Sequence, residues 1–341
     1  MRGLDDKSVM ALKSNPQIQE LIDEINDANK NNIFVAIRDN YLTLYYDCLR
    51  IMDIRMENGK INSVDSNESY LGNMGNTKLN ENNINIQDIE KIIEGIRSYE
   101  TSNKKEKKVQ HSIVVNNNKQ DDTKWFCIDV EYQTTEYGRF DIIAISSERI
   151  NGKYQIAIVE LKADTSSIIT GCNDIKGWVD AGSVKIRNIN DWKLGRGSKI
   201  TGHFSNFQGF LTDKESVRTL KKDIIESVIV YERIGFKNER FLDIYSKLKD
   251  INIDEDFEEL PRIIFLNCAV NEKIESVKKY FKGAALNKGK YSILNVWDKL
   301  LIDNNIHLYS CVFRDEHLPM KIFSDLEISE AKNIFDEEAY K

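Results

Sequence analysis

The chain has 341 residues, 41% apolar and 30% charged, with a formal net charge of −7. That is long enough for one large α/β domain or two modest ones and falls in the ordinary globular range, which excludes a disordered chain. No apolar run approaches the roughly 18 residues of a bilayer span, and the opening stretch lacks the apolar core of a signal peptide, so no membrane association and a cytoplasmic location are expected.

The first predicted element is a helix over VMALKSNPQIQELIDEINDANK, interrupted near Pro16. Strands follow over IFVAIRDNYLTLYYDCLRIMDIRMENGKINSVD, with Asn58-Gly59 as a hairpin turn. An Asn- and Gly-rich linker places a boundary near residue 80, so residues 1–80 read as an N-terminal α+β module and 84–341 as a second domain. That domain opens with a helix carrying Ile86, Ile89, Ile93 and Ile96 on one face, followed by a polar basic loop, TSNKKEKKVQ. Three strands are predicted next: KWFCIDVEYQ, GRFDIIAIS and YQIAIVELKAD. An irregular insertion covers 165–199. Beyond it, HFSNFQGFL has helical spacing, and Thr212 with Glu215 reads as the capping box of a helix carrying Val217, Leu220, Ile224 and Val228. RIIFLNCAV and HLYSCVF are strands, with helical patterns between them. The fold class expected is α/β (α+β), a mixed central sheet flanked by helices.

Three charged residues, Asp141, Glu160 and Lys162, stand among apolar neighbours on two of these strands. Asn151-Gly152 is a type I′ turn signal that makes paired residue numbers sum to 303. On that register Asp141 faces Lys162, and all three side chains leave the same face of the sheet. Buried charge costs several kcal/mol per ion, on the order of the usual effective penalty, unless it is paired or bound to metal. The plain alternative is a salt bridge between Asp141 and Lys162. A bare [DE]xK match occurs seven times in the chain, but only the one at Glu160 ends an apolar strand with a second acid in register.

Five cysteines without CxxC spacing and four scattered histidines disfavour a disulfide frame or a zinc site. From 185 to 222 there are nine Lys or Arg against three Asp or Glu, a strip that can track phosphates. Its members Lys185, Arg187, Lys193, Arg196 and Lys199 are the candidate nucleic-acid contacts, and Trp178 and Trp192 could stack on bases. GRGSKITG, at 195–202, fits no phosphate-loop pattern, and His203 has no nucleophile elbow beside it.

With Asp141 in the second strand and Glu160-Leu161-Lys162 in the third, the sequence resembles the PD-(D/E)xK nuclease superfamily over about residues 84 to 270. Phe140 stands where the family usually has Pro. The resemblance implies a restriction-endonuclease-like core of helix, antiparallel three-stranded meander, helix and further strand. It also implies Mg²⁺, with Mn²⁺ as an alternative, held by Asp141, Glu160 and the backbone carbonyl of Leu161, and Lys162 and Gln208 acting in catalysis. A Glu of the first helix often joins such sites, which makes Glu90 and Glu94 candidates, with Glu131 of the first strand a further one. The implied activity is metal-dependent phosphodiester hydrolysis, on DNA ahead of RNA, and compact nucleases of this kind resemble bacterial antiviral defence effectors. An acidic chain with one basic strip is expected to act as a homo-oligomer or with a partner protein. The competing expectation is a catalytically silent nuclease-fold module that binds nucleic acid or assembles with a partner.

Overall fold

A computed structural model describes residues 2–27, 32–66, 86–98, 105–119, 123–162, 200–270, 306–313 and 332–333. Helices α1 (Asp6–Ser14) and α2 (Pro16–Asn26) open the chain. Their interruption lies at Asn15, which ends α1 and caps α2: its side-chain oxygen accepts from the N–H groups of Gln17 and Ile18. Pro16 fits the first turn of α2 because no N–H is needed there.

Strands β1 (Phe34–Ile37), β2 (Tyr41–Tyr46), β3 (Leu49–Glu57) and β4 (Lys60–Ser66) form an antiparallel sheet in chain order. Asn58 and Gly59 join β3 to β4 at φ of 53° and 72°, the two positive values that a type I′ turn requires. Helix α3 (Ile86–Ser98) buries Ile89, Ile92, Ile93 and Ile96.

Helix α4 (Lys105–Lys119) corrects the expectation of a basic loop over its first residues. Its apolar signal is short, but Val109 and Ile113, one turn apart, are both buried together with Val114. The surrounding Lys and Asn residues hid that pattern.

The second sheet contains β5 (Trp125–Gln133), β6 (Arg139–Ser146), β7 (Ile156–Lys162), β8 (Arg262–Val270), β9 (Ile306–Phe313) and β10 (Lys332–Asn333), in that order across the sheet. Strands β5, β6 and β7 are antiparallel, β7, β8 and β9 are parallel, and β10 is antiparallel to β9. Between β7 and β8 the chain runs through α5 (Ile200–Thr212), α6 (Lys214–Ile234), α7 (Glu239–Leu248) and the short α8 (Ile253–Asp256). The cap of α6 is Asp213 rather than Thr212: its carboxylate accepts from the N–H groups of Glu215 and Ser216, one residue later than the capping-box pattern indicates. The described residues thus form a mixed α+β fold with a four-stranded sheet, a six-stranded sheet and eight helices.

Alternate residues of β6 and β7 enter two separate apolar cores, as expected of strands covered on both faces. Ile143, Ile145, Ile156 and Ile158 pack with Phe207, Phe210 and Ile224 of α5 and α6. Ile142, Ala144, Ala157 and Val159 pack with Val109 and Ile113 of α4. The four-stranded sheet contributes to both cores, through Leu44 and Ile54 to the first and Phe34 and Ala36 to the second.

A buried polar network ties the four-stranded sheet to β5. Arg38, at the end of β1, contacts the Asp129 carboxylate at 2.5 Å and donates to the Val130 carbonyl at 2.8 Å. Arg2 pairs with the other Asp129 oxygen at 3.1 Å, and its backbone N–H donates to Asp223 of α6. Tyr132 donates its hydroxyl to Asp223 at 2.8 Å. Burial opposes charge on Arg38, but Asp129 and Tyr45 together outweigh that effect and raise its pKa.

Candidate active site

The hairpin between β6 and β7 starts on the expected register and then leaves it. Asn151 and Gly152 have positive φ, and Ile150 bridges Lys153. Tyr154 then turns away to bridge Phe257, and Ser147, Glu148 and Arg149 have no strand partner in β7. Pairing resumes with Ile145 opposite Ile156 and continues to Ile142 opposite Val159. The expected facing of Asp141 and Lys162 is therefore overturned by a two-residue slip. An even slip keeps side chains on their original faces. One step beyond Ile142 and Val159 the register carries Asp141 opposite Glu160, a separation of about 4.5–5.5 Å between directly opposed Cβ atoms.

The backbone ladder ends at this point. The N–H of Leu161 donates to the Asp141 carboxylate at 2.8 Å, and the Asp141 carbonyl accepts instead from the Gln110 amide of α4 at 2.6 Å. Lys162 Nζ lies 2.5 Å from Glu160 Oε1 and donates to the Leu161 carbonyl at 2.8 Å. Glu160 is only 2% exposed, and among the described residues its second oxygen, Oε2, has no hydrogen-bond partner. Burial and then the neighbouring Asp141 carboxylate push the Glu160 pKa up to about 8, with Lys162 opposing. Burial also raises Asp141, against the pull of Lys162 and the Leu161 N–H. For Lys162 burial acts to lower the pKa, but Glu160, Glu106 and Asp141 together raise it. The ammonium is the internal counter-ion of two acids that would otherwise repel.

Helices α4 and α5 supply the other groups. Glu106 of α4 lies 4.0 Å from Lys162 Nζ. Glu90 and Glu94, the helical acids singled out from sequence, are on the exposed face of α3. The signal for Glu106 was its place one helical turn before the buried Val109 and Ile113, which a loop reading conceals. His203 of α5 brings Nε2 to 3.2 Å from Glu160 Oε1, a close approach without hydrogen-bond alignment. Gln208 is buried on the same helix. Five residues separate it from His203, about 140° around the axis, so the two leave the helix in different directions. Glu131 of β5 has φ of 55° and pairs with Lys107 and Arg139. Lys185, Arg187, Lys193, Arg196 and Lys199, with Trp178 and Trp192, lie outside the described residues.

These residues can accommodate a hard divalent cation. The donors are carboxylate and carbonyl oxygens, and the buried Oε2 of Glu160 lacks a partner among the described residues. Among the described residues no three His, Cys, Asp or Glu side chains form a cage of their own. Such a sparse set suits Mg²⁺, which binds through one or two carboxylates and keeps several waters. No protein-family model matches the sequence, and no match was found among curated proteins or solved structures.

Proposed function

We propose that the chain is a divalent-cation-dependent nuclease of the PD-(D/E)xK type, hydrolysing phosphodiester bonds in DNA ahead of RNA. The observation that carries this reading is the placement of Asp141 and Glu160 side by side at the end of a buried ladder, with Lys162 on one Glu160 oxygen and the other oxygen without a partner among the described residues. The sequence of elements α4, the β5–β6–β7 meander, the helices α5 to α8 and the parallel strand β8 supports it, since the resemblance implies a helix, a meander, helical structure and a further strand in that order.

Asp141, Glu160 and the Leu161 carbonyl would hold Mg²⁺ or Mn²⁺. A bound cation supplies positive charge to the phosphate and makes the attacking water more acidic. Asp141 and Glu160 fix its position, because each is anchored: Asp141 by the Leu161 N–H, Glu160 by Lys162. Lys162 is a compact charge that stabilises the anionic phosphorane-like transition state or orients the water. On the resemblance alone, the proposal extends to bacterial antiviral defence and to a second copy or partner protein that completes the grip on DNA.

The test is cleavage of plasmid DNA, single-stranded DNA and RNA with Mg²⁺ or Mn²⁺ against EDTA, comparing the wild type with Glu160→Ala and Asp141→Asn. Cation-dependent cutting that both substitutions abolish is expected. Cutting that survives the loss of both carboxylates would overturn the reading. Cation binding without turnover on any substrate would favour the catalytically silent module.

A further inference from the structure

Glu131 has a backbone conformation that residues with a side chain rarely adopt, in the middle of a strand. A strained residue persists where its surroundings hold it, and the groups it holds in turn are informative. One carboxylate oxygen of Glu131 meets the Lys107 ammonium and accepts from the Gln110 amide at 3.0 Å. The other lies 2.7 Å from Arg139 Nε. Gln110 also donates to the Asp141 carbonyl, so this cluster is joined directly to the candidate catalytic strand.

The one Glu131 carboxylate is shared by two cations, Lys107 and Arg139, and Lys107 also acts on the Asp141 carboxylate. Arg139 is 57% exposed, and among the described residues only its Nε has an acceptor, which leaves the Nη groups for another one. A guanidinium matches two phosphate oxygens with parallel N–H bonds, and an ammonium adds a point charge. The outward-facing neighbour of such a pair is expected to be an anion with several oxygens. In a chain of net charge −7, a local cationic pair next to the carboxylates is also what contact with a polyanion requires.

We propose that Lys107 and Arg139, held on either side of Glu131, form a phosphate clamp that grips the phosphodiester backbone of a nucleic acid beside Asp141 and Glu160. The inference rests on the hydrolytic reading above for its substrate class but makes a separate claim, about binding. Glu131 is the positioning residue, and Arg139 and Lys107 make the contacts.

The experiment measures fluorescence anisotropy of a labelled DNA duplex of about 20 base pairs and of an RNA strand of the same length, with Ca²⁺ in place of Mg²⁺, across a range of NaCl. The wild type, Arg139→Ala, Lys107→Ala, the double variant and Arg139→Lys are compared. Each phosphate contact contributes about one to the slope of log affinity against log salt. Each alanine variant is expected to lower the slope by about one and the double variant by about two, whereas Arg139→Lys keeps the slope. Whichever nucleic acid shows the loss is the polymer gripped. Because Arg139 is largely exposed, its alanine variant is expected to melt with the wild type, so a binding defect is not a folding defect. Slopes equal to wild type in both alanine variants, or a wild type that binds neither polymer, would overturn the clamp. Cleavage is scored separately: lost slopes without any wild-type cleavage sink the hydrolytic reading and leave the clamp, and cleavage with unchanged slopes does the reverse.

Discussion

At the scale of single residues, Glu160 concentrates the electrostatic cost of the site. Its pKa in the fold, about 8, lies above the ordinary 4.5, so between those values the folded chain holds a proton that the unfolded chain has released. Stability rises with pH only where the unfolded state binds more protons, and here the inequality is reversed. The contribution of Glu160 is therefore complete below about pH 4.5 and is lost as pH rises through about 8. Asp141, also raised, acts in the same direction. Glu160→Gln is expected to remove most of this loss, giving a melting temperature above wild type at pH 8.5 and close to it at pH 5. Thermal melts across that range in EDTA would check the point, and a wild type that gains stability toward pH 8 would contradict it. A divalent cation competes with the same proton. Mg²⁺ or Mn²⁺ is accordingly expected to raise the wild-type melting temperature more at pH 8 than at pH 6, and to raise that of Glu160→Gln much less at either pH.

At the scale of elements, the joints between elements carry specific side chains. Asn15 satisfies two N–H groups at the start of α2, so Asn15→Ala is expected to cost about 1 kcal/mol, measured by urea denaturation. Gly59 holds φ of 72°, and an added Cβ would stand 2.4 Å from the Cβ of Lys7. Gly59→Ala is expected to destabilise by roughly 1–2 kcal/mol from the left-handed backbone alone, before the clash with α1 is counted. A neutral result in the same denaturation assay would mean that the β3–β4 turn has another conformation. The β6–β7 hairpin shows how an element's end can be written locally and its register elsewhere. Asn151-Gly152 formed the turn it signals, yet Phe257, more than a hundred residues away, draws Tyr154 out of the ladder and resets the pairing by two.

At the scale of the whole molecule, the buried group of Arg2, Arg38, Asp129 and Asp223 joins β1, β5 and α6. Removing one member leaves its partner charged and dry. Asp129→Ala is expected to cost about 3–5 kcal/mol, seen as a lower urea midpoint with an unchanged slope. Asp129 lies two residues before Glu131, so the same network fixes the part of β5 on which Lys107, Gln110 and Arg139 converge. The four-stranded sheet thus bears on the candidate site through β5.

Local patterns were legible in the sequence because they depend on a few adjacent residues. The break at Pro16, both Asn-Gly turns, the meander strands, the buried positions of α6 and the shared face of Asp141, Glu160 and Lys162 follow from ring geometry, positive φ and strand alternation. The facing of Asp141 with Glu160 rather than Lys162, the helical state of Lys105–Lys119, and the approach of Glu106, His203 and Gln110 were settled only by the tertiary structure. The physical reason is common to all three. Register and helix formation in weakly patterned segments are set by what packs against them, and the partners of these segments, Phe257, the apolar face of β6 and β7, and the carboxylates themselves, are distant in the chain.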